Sequence, residues 1–187
     1  MTEHDDDAMS ARTPEQVAQR LLALTATVSR TYSAADSPEL AWVKQHGVEA
    51  FFSDEERAFY QQPEPTEQQL VNFSWRAEGL VAVAWALGGL DQLPALNLTA
   101  DLKSIRLLAQ AMKDPKAFIA QAQLRPAADI EAAEGELYQQ HWRVRDAQLF
   151  NKPMPEELHP GVVYERRYAL SWLVGYGDDW DEVPTDT

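Results

Sequence analysis

Apolar side chains return along this chain with a helical period. After "TPEQ", Val17, Leu21, Leu24 and Val28 recur three or four residues apart, which puts them on one face of a helix. Thr13 suits the cap of that helix, Pro14 its first position, and Gln16 completes a capping box. The start signal recurs at Ser37-Pro38 before "ELAWVKQHG", where Gly47 provides the stop, and at "SDEE" (53–56), which opens a short acidic helix holding Phe59 and Tyr60. "PEPT" at 63–66 breaks the chain. Thr66 and Gln69 then cap the most regular segment, in which Leu70, Phe73, Ala77, Leu80, Ala84 and Leu87 form a stripe. Between Gly79 and Gly88 this segment is apolar nearly all round, so it is the expected central helix, buried on most sides.

The second half continues in the same manner. Thr99 starts a predicted helix carrying Leu102, Ile105, Leu108 and Met112, and Asp114-Pro115 starts a short one through Phe118 and Ile119. Pro126 leads into a long helix with Ile130, Leu137, Val144 and Leu149 on one side, joined by either Trp142 or His141. "NKPMPEELHPG" is a loop restricted by its prolines. The β-branched opening of "GVVYERRYALSWLV" is compatible with a strand over 162–168. Val163, Arg167, Leu170 and Val174 nevertheless keep helical spacing, and helix is the reading taken, with its stop at Gly177. Beyond it, Trp180 and Val183 are placed to fold back onto the body. Short connections between amphipathic helices, without hairpin signals, predict an all-α fold. It is expected as a single-domain bundle of about six to eight helices over residues 13–187, preceded by a disordered acidic arm at 1–12.

Composition narrows the function classes. The net charge is −14, with acidic residues gathered at both ends: Glu3, Asp5, Asp6, Asp7 and Glu15 at the start, and Asp178, Asp179, Asp181, Glu182 and Asp186 at the finish. Such a surface repels phosphate backbones and anionic membranes, so neither nucleic acid nor a membrane is an expected partner. It is compatible with a basic protein partner, while the simpler reading is that the acidity keeps the protein soluble. The chain has no cysteine, which excludes disulfides, a thiol nucleophile and thiolate metal sites. The N-terminus lacks the basic and apolar regions of a secretory signal, and no apolar run is long enough to span a bilayer. A cytoplasmic location is the expectation.

The candidate chemistry lies in charges set among apolar helical residues. They are Arg76 and Glu78, then His141, Arg143, Arg145 and Asp146, then Glu165, Arg166 and Arg167, with Trp75, Trp142 and Trp172 beside them. Buried charge is costly unless paired. Facing helices are therefore expected to bring Arg76, Asp146, Glu165 and His141 together, with Glu165 as a buried pairing partner. One reading is an internal salt-bridge network that fixes helix register. The other is a ligand pocket formed by Arg76, Glu78, His141, Arg145, Asp146, Glu165, Arg166 and Trp172, in which His141 is acid or base and an arginine holds an anion.

No cofactor, metal or catalytic signature stands out. Glu156 and His159 have the spacing of bundle di-iron ligands but lie in a proline-rich loop and occur once. "GYGDDW" is Gly-rich, yet it ends a helix, where the dipole is negative, and acids follow it. The acidic tail lacks the glycine and terminal glutamate of an EF-hand. The preferred function class is a non-enzymatic interaction protein, an adaptor or immunity-type protein with an acidic surface. The alternative is a small-molecule or anion-binding pocket where the helices bearing Arg76, His141 and Glu165 meet.

Three blocks carry a resemblance to a known family. "SWRAEGLVAVAWALGGLDQLP" (74–94), "LYQQHWRVRDAQL" (137–149) and "VVYERRYALSWLVGYGDDWDEVPTDT" (162–187) resemble blocks of the domain-of-unknown-function 4272 family of bacterial proteins. The third is the most specific, with its tryptophan-bearing helix, the Trp180-Asp181 pair and the terminal Asp186-Thr187. Family members often carry asparagine before the helix tryptophan, where this chain has Ser171. The resemblance spans roughly 65–187, and it implies a fold without an activity.

Overall fold

Three reciprocal capping boxes set the helix starts. Thr13 with Gln16 opens α1 (Pro14–Arg30), Ser53 with Glu56 opens α3 (Asp54–Gln61), and Thr66 with Gln69 opens α4 (Glu67–Ala86). In each, the side-chain oxygens at both ends of the box accept from backbone N–H groups that the first turn leaves unpaired. A computed structural model describes residues 11–186, and those residues hold eight α-helices and no strand. The remaining helices are α2 (Ala41–Gln45), α5 (Arg106–Lys113), α6 (Pro115–Gln121), α7 (Ala127–Leu149) and α8 (Pro160–Leu173). The all-α bundle expected from the hydrophobic pattern is the observed fold, and the segment 162–168 is helical.

The layers run α1, α4, α8, α7, each packed on the next, with α5 and α6 against α1. The central position is shared. α4 is buried from Glu78 to Ala86 as the sequence predicts, but α1, beyond its exposed first turn, is buried nearly all round rather than along one face. Its polar residues allow this because most of their polar atoms find partners, although Arg20 Nη1 is buried without one. Thr25 and Thr27 donate to the carbonyls of Leu21 (2.7 Å) and Ala23 (3.0 Å) one turn back. Arg20 reaches Glu56 at 2.5 Å, and Arg30 donates to the carbonyls of Tyr60 and Gln62. A polar group whose hydrogen bonds travel with it is far cheaper to bury.

Boundaries differ from the sequence expectation in two places. Ile105 takes an extended conformation, so the helix expected from Thr99 becomes a 3-10 turn at Leu102–Ser104 followed by α5. α8 stops at Leu173, ahead of Gly177, and the chain reverses through the left-handed residues Gly175 (φ 107°) and Gly177 (φ 75°). Trp180 and Val183 then return to the body and are buried. Residues 1–10 of the expected arm lie outside the described residues. Arg12, placed in that arm by the sequence reading, is tied down: its backbone N–H donates to Leu173 O (3.1 Å), its Nε to Trp172 O (2.9 Å), and its Nη2 to the Gly177 carbonyl. No described helix is long and apolar enough to cross a membrane.

Candidate functional site

Three helical stripes converge on one cleft of about 920 Å³. α4 contributes Asn72, Trp75 and Arg76. α7 contributes His141, Val144, Arg145 and Gln148. α8 contributes Gly161, Tyr164, Glu165 and Tyr168. Each set follows the i, i+3, i+4 pattern, so each is one helix face. Glu55 at the start of α3 and the returning tail, through Trp180, Asp181, Thr185 and Asp186, complete the wall. Gly161 permits a close approach there, since a Cβ at that position would stand 3.0 Å from the Trp75 ring.

The tail is fastened at both ends of this wall. The Tyr168 hydroxyl donates to Trp180 O, and the ring meets Trp180 edge-on at 5.2 Å. Burial pushes the Tyr168 phenol up to about 12, so it remains a donor at neutral pH. Asp181 Oδ2 accepts the Glu55 N–H (3.1 Å) in the first turn of α3. Arg167 donates to the carbonyls of Thr185 and Asp186, both at 2.8 Å.

Arg167 also fixes the state of His141. A guanidinium has donors alone, so the 2.7 Å contact between Arg167 Nη1 and His141 Nδ1 makes Nδ1 the acceptor and leaves the imidazole proton on Nε2. Burial, followed by the charges of Arg167 and Arg145, lowers the His141 pKa to about 4. His141 is therefore a neutral, oriented N–H donor at the cleft. It is neither a base at Nδ1 nor a cation at physiological pH.

Glu165 behaves differently from expectation. It makes no ion pair and no hydrogen bond among the described residues, although it is half-buried at the cleft wall. Burial raises its pKa to about 7, against the pull of Arg76 and with the push of Glu78. The buried pairing partner that the sequence assigned to Glu165 is Glu78 instead. Glu78 Oε2 meets Arg166 Nη2 at 3.2 Å, with the arginine wholly buried. The exchange follows from helix geometry. Glu165 and Arg166 are adjacent on α8 and point about 100° apart, so one faces the cleft and the other the interior.

Of the eight candidate ligand residues, four meet in the cleft: Arg76, His141, Arg145 and Glu165. Arg76 lies over the Phe73 ring (4.2 Å) and pairs with Glu55 at 3.2 Å. Arg145 donates to Gln148 (2.9 Å) and is otherwise exposed. Glu78 and Arg166 form the internal clamp described above. Asp146 is on the outer side, paired with Lys152 at 2.9 Å, so it does not join Arg76 and Glu165 as expected. Being one residue past Arg145 on α7, it turns off the cleft face. Trp172 packs edge-on against Trp180 (5.5 Å) and under Arg12, away from the cleft. The choice left open on α7 falls to His141, which is 5% exposed, while Trp142 is 51% exposed and Leu149 also faces outward.

The sequence reading missed Glu55, Tyr164, Tyr168 and Asp181 as cleft residues. Tyr164 and Tyr168 had a usable signal, lying on the same face of α8 as Glu165. Glu55 and Asp181 had none, since they reach the cleft through tertiary packing. Among the described residues no group of three or more His, Asp or Glu side chains is disposed to hold a metal ion.

Comparison with curated proteins and with solved structures finds nothing that matches. Comparison with protein families finds a match to "Domain of unknown function (DUF4272)" over residues 2–183. That match takes in α1 to α3 as well as residues 65–183 of the stretch that carries the resemblance, stopping short of Asp186-Thr187, in keeping with the packing of α1 on α4. The chain thus belongs to the family of the domain of unknown function DUF4272.

Proposed function

We propose that the protein binds a small polar molecule in the cleft between α4, α7 and α8. The observation that carries this reading is the state of Glu165 and His141. One carboxyl and one imidazole N–H, on facing helices, border the same space without partners among the described residues. Neither the Glu165 oxygens nor His141 Nε2 is sealed from solvent, so both are within reach of a molecule that enters the cleft. Trp75, Val144 and Tyr164 add apolar surface, a common composition for a small-molecule site. Binding supports a carrier or sensor role. A carboxyl that titrates near neutrality also suits proton transfer.

A thermal-shift screen of metabolites, repeated on Arg145→Ala and Trp75→Phe, tests the reading. Compounds that stabilise the wild-type chain are expected to lose much of their effect in both variants. Stabilisation that is unchanged in both variants, or absent for every compound, overturns it.

A second reading retains the protein partner expected from the acidic ends. Tyr138, Trp142 and Leu149 form an exposed stripe along the outer face of α7, with Phe150 at its end, and aromatic stripes of this kind favour protein contacts. If the stripe serves this role, Trp142→Ser abolishes capture of a basic partner and leaves the cleft intact. Capture that persists at full strength in the variant refutes it.

A further inference from the structure

We infer that the ligand of this cleft is a small organic acid, its carboxylate received by His141 Nε2–H and Arg145 and its apolar body laid against Trp75 and Tyr164. The inference rests on the cleft being a ligand site and names the chemistry of what fills it. The cleft charges differ in whether they are already answered. Arg76 is answered by Glu55 at 3.2 Å. Asp181 is turned away: Oδ2 accepts the Glu55 N–H, and Oδ1, which has no partner among the described residues, is sealed from solvent and so from a ligand in the cleft. Asp186 acts on Arg167, which also takes its main-chain oxygen. Arg145 alone has a neutral partner, the Gln148 amide, so its charge is uncompensated at short range.

The donors in surplus therefore share one helix. His141 and Arg145 are four residues apart on α7, which sets them side by side on its cleft face. An imidazole N–H and a guanidinium at that spacing suit the two oxygens of one carboxylate. Arg167 holds the imidazole in the tautomer that donates. Across the gap stands Glu165. The charged groups facing it are Arg76 and Glu78 from α4, His141 and Arg145 from α7, Glu55 from α3, and Asp181 and Asp186 from the tail. Tyr164 and Tyr168 flank it on α8 itself. Beside a bound carboxylate, Glu165 is favoured in its protonated form, since two anions at close quarters repel and one shared proton joins them. An acid that titrates near neutrality supplies that proton at little cost.

The consequence is a proton taken up with the ligand. With Glu165 half-protonated near pH 7, affinity for a carboxylate falls about tenfold between pH 6 and pH 8. An ammonium ligand would show the opposite slope. Isothermal titration of the full chain with benzoate, benzylammonium and benzyl alcohol separates the cases. Benzoate is expected to bind more tightly at pH 6 than at pH 8, with proton uptake seen as a heat that varies with the buffer. Glu165→Gln is expected to lose the pH dependence. Arg145→Ala, a change at an exposed position, is expected to weaken benzoate at least tenfold without unfolding the chain. Benzylammonium or benzyl alcohol binding in place of benzoate, with loss in Arg145→Ala, overturns the acid and leaves the cleft as a ligand site. Benzoate affinity that rises with pH, or that ignores Arg145→Ala, also overturns it. If none of the three probes binds at millimolar concentration, the inference is overturned, and a metabolite screen that is equally blank removes the site itself.

Discussion

Replacing Glu165 by glutamine should stabilise the protein at alkaline pH and leave it unchanged in acid. The carboxyl's pKa rises from 4.5 to about 7 on folding, through burial. An acid raised in this way contributes its full stability below about pH 4.5 and loses it as the pH climbs through about 7. At about pH 8 the ionised side chain thus costs about 3 kcal/mol, at about 1.36 kcal/mol for each unit. Glutamine has the same shape and cannot ionise, so that cost vanishes. His141 shapes the background. Its pKa falls from 6.5 to about 4, so its contribution is present above about pH 6.5 and is lost as the pH falls through about 4. The two slopes oppose each other across the same range, and the wild-type contribution from this pair is nearly level. Glu165→Gln removes one slope and exposes the other. Urea unfolding followed by far-UV circular dichroism, at several pH values, measures the difference between the two proteins, in which groups common to both cancel. The expected difference is near zero at about pH 4 and about 3 kcal/mol in favour of the variant at about pH 8. A variant less stable than wild type at pH 8, or a gain that does not change with pH, would refute the reasoning and return Glu165 to the role of a structural partner.

Glu78→Ala should be far more damaging, because it strands the wholly buried Arg166 and frees the Ala100 N–H that Glu78 Oε1 accepts at 2.6 Å. A loss of about 3 to 5 kcal/mol is expected in the same unfolding assay, with faster amide exchange over residues 94–100. A loss within about 0.5 kcal/mol would place the pair outside the structural core. Gly161→Ala adds a Cβ 3.0 Å from the Trp75 ring. Overpacking of this kind costs about 1 to 3 kcal/mol, partly offset by about 1 kcal/mol of helix propensity. Trp75 should move, altering the tryptophan fluorescence, and an unchanged spectrum would show that the wall has room to spare.

Which helices form was written locally; which faces meet was not. The three capping boxes, the Asp114-Pro115 start of α6 and the stripe of α4 all depend on residues within a few positions of one another, and all appear where the sequence predicts them. α1 defeats the periodicity argument because Arg20, Thr25, Thr27 and Arg30, polar and off the apolar stripe, are nevertheless buried with their partners. The cleft shows the same division. Arg76, His141, Arg145 and Glu165 were legible because charge within an apolar stripe is costly and hence informative. Their partners were not legible. Assigning Glu78 to Arg166, and leaving Glu165 unpaired, depends on a rotation of one residue along α8 that spacing alone does not resolve.

That rotation separates two uses of charge in one helix. Arg166 turns inward and binds the Pro94, Ala95 and Leu98 carbonyls as well as Glu78, so a single guanidinium organises the loop that follows α4. Arg167 turns toward α7 and the tail, joining His141 to Thr185 and Asp186. Glu165, beside both, is given to neither task. A network built for stability alone has no reason to leave its third member half-buried and unpaired, since that arrangement raises the free energy of the folded state at neutral pH. Destabilising groups concentrate where a protein meets its ligands. The tail beyond Gly177 then has a physical role: it is a clasp whose fastening to Arg167 fixes the donor state of His141. Loosening the tail should therefore disturb the cleft before it disturbs the fold.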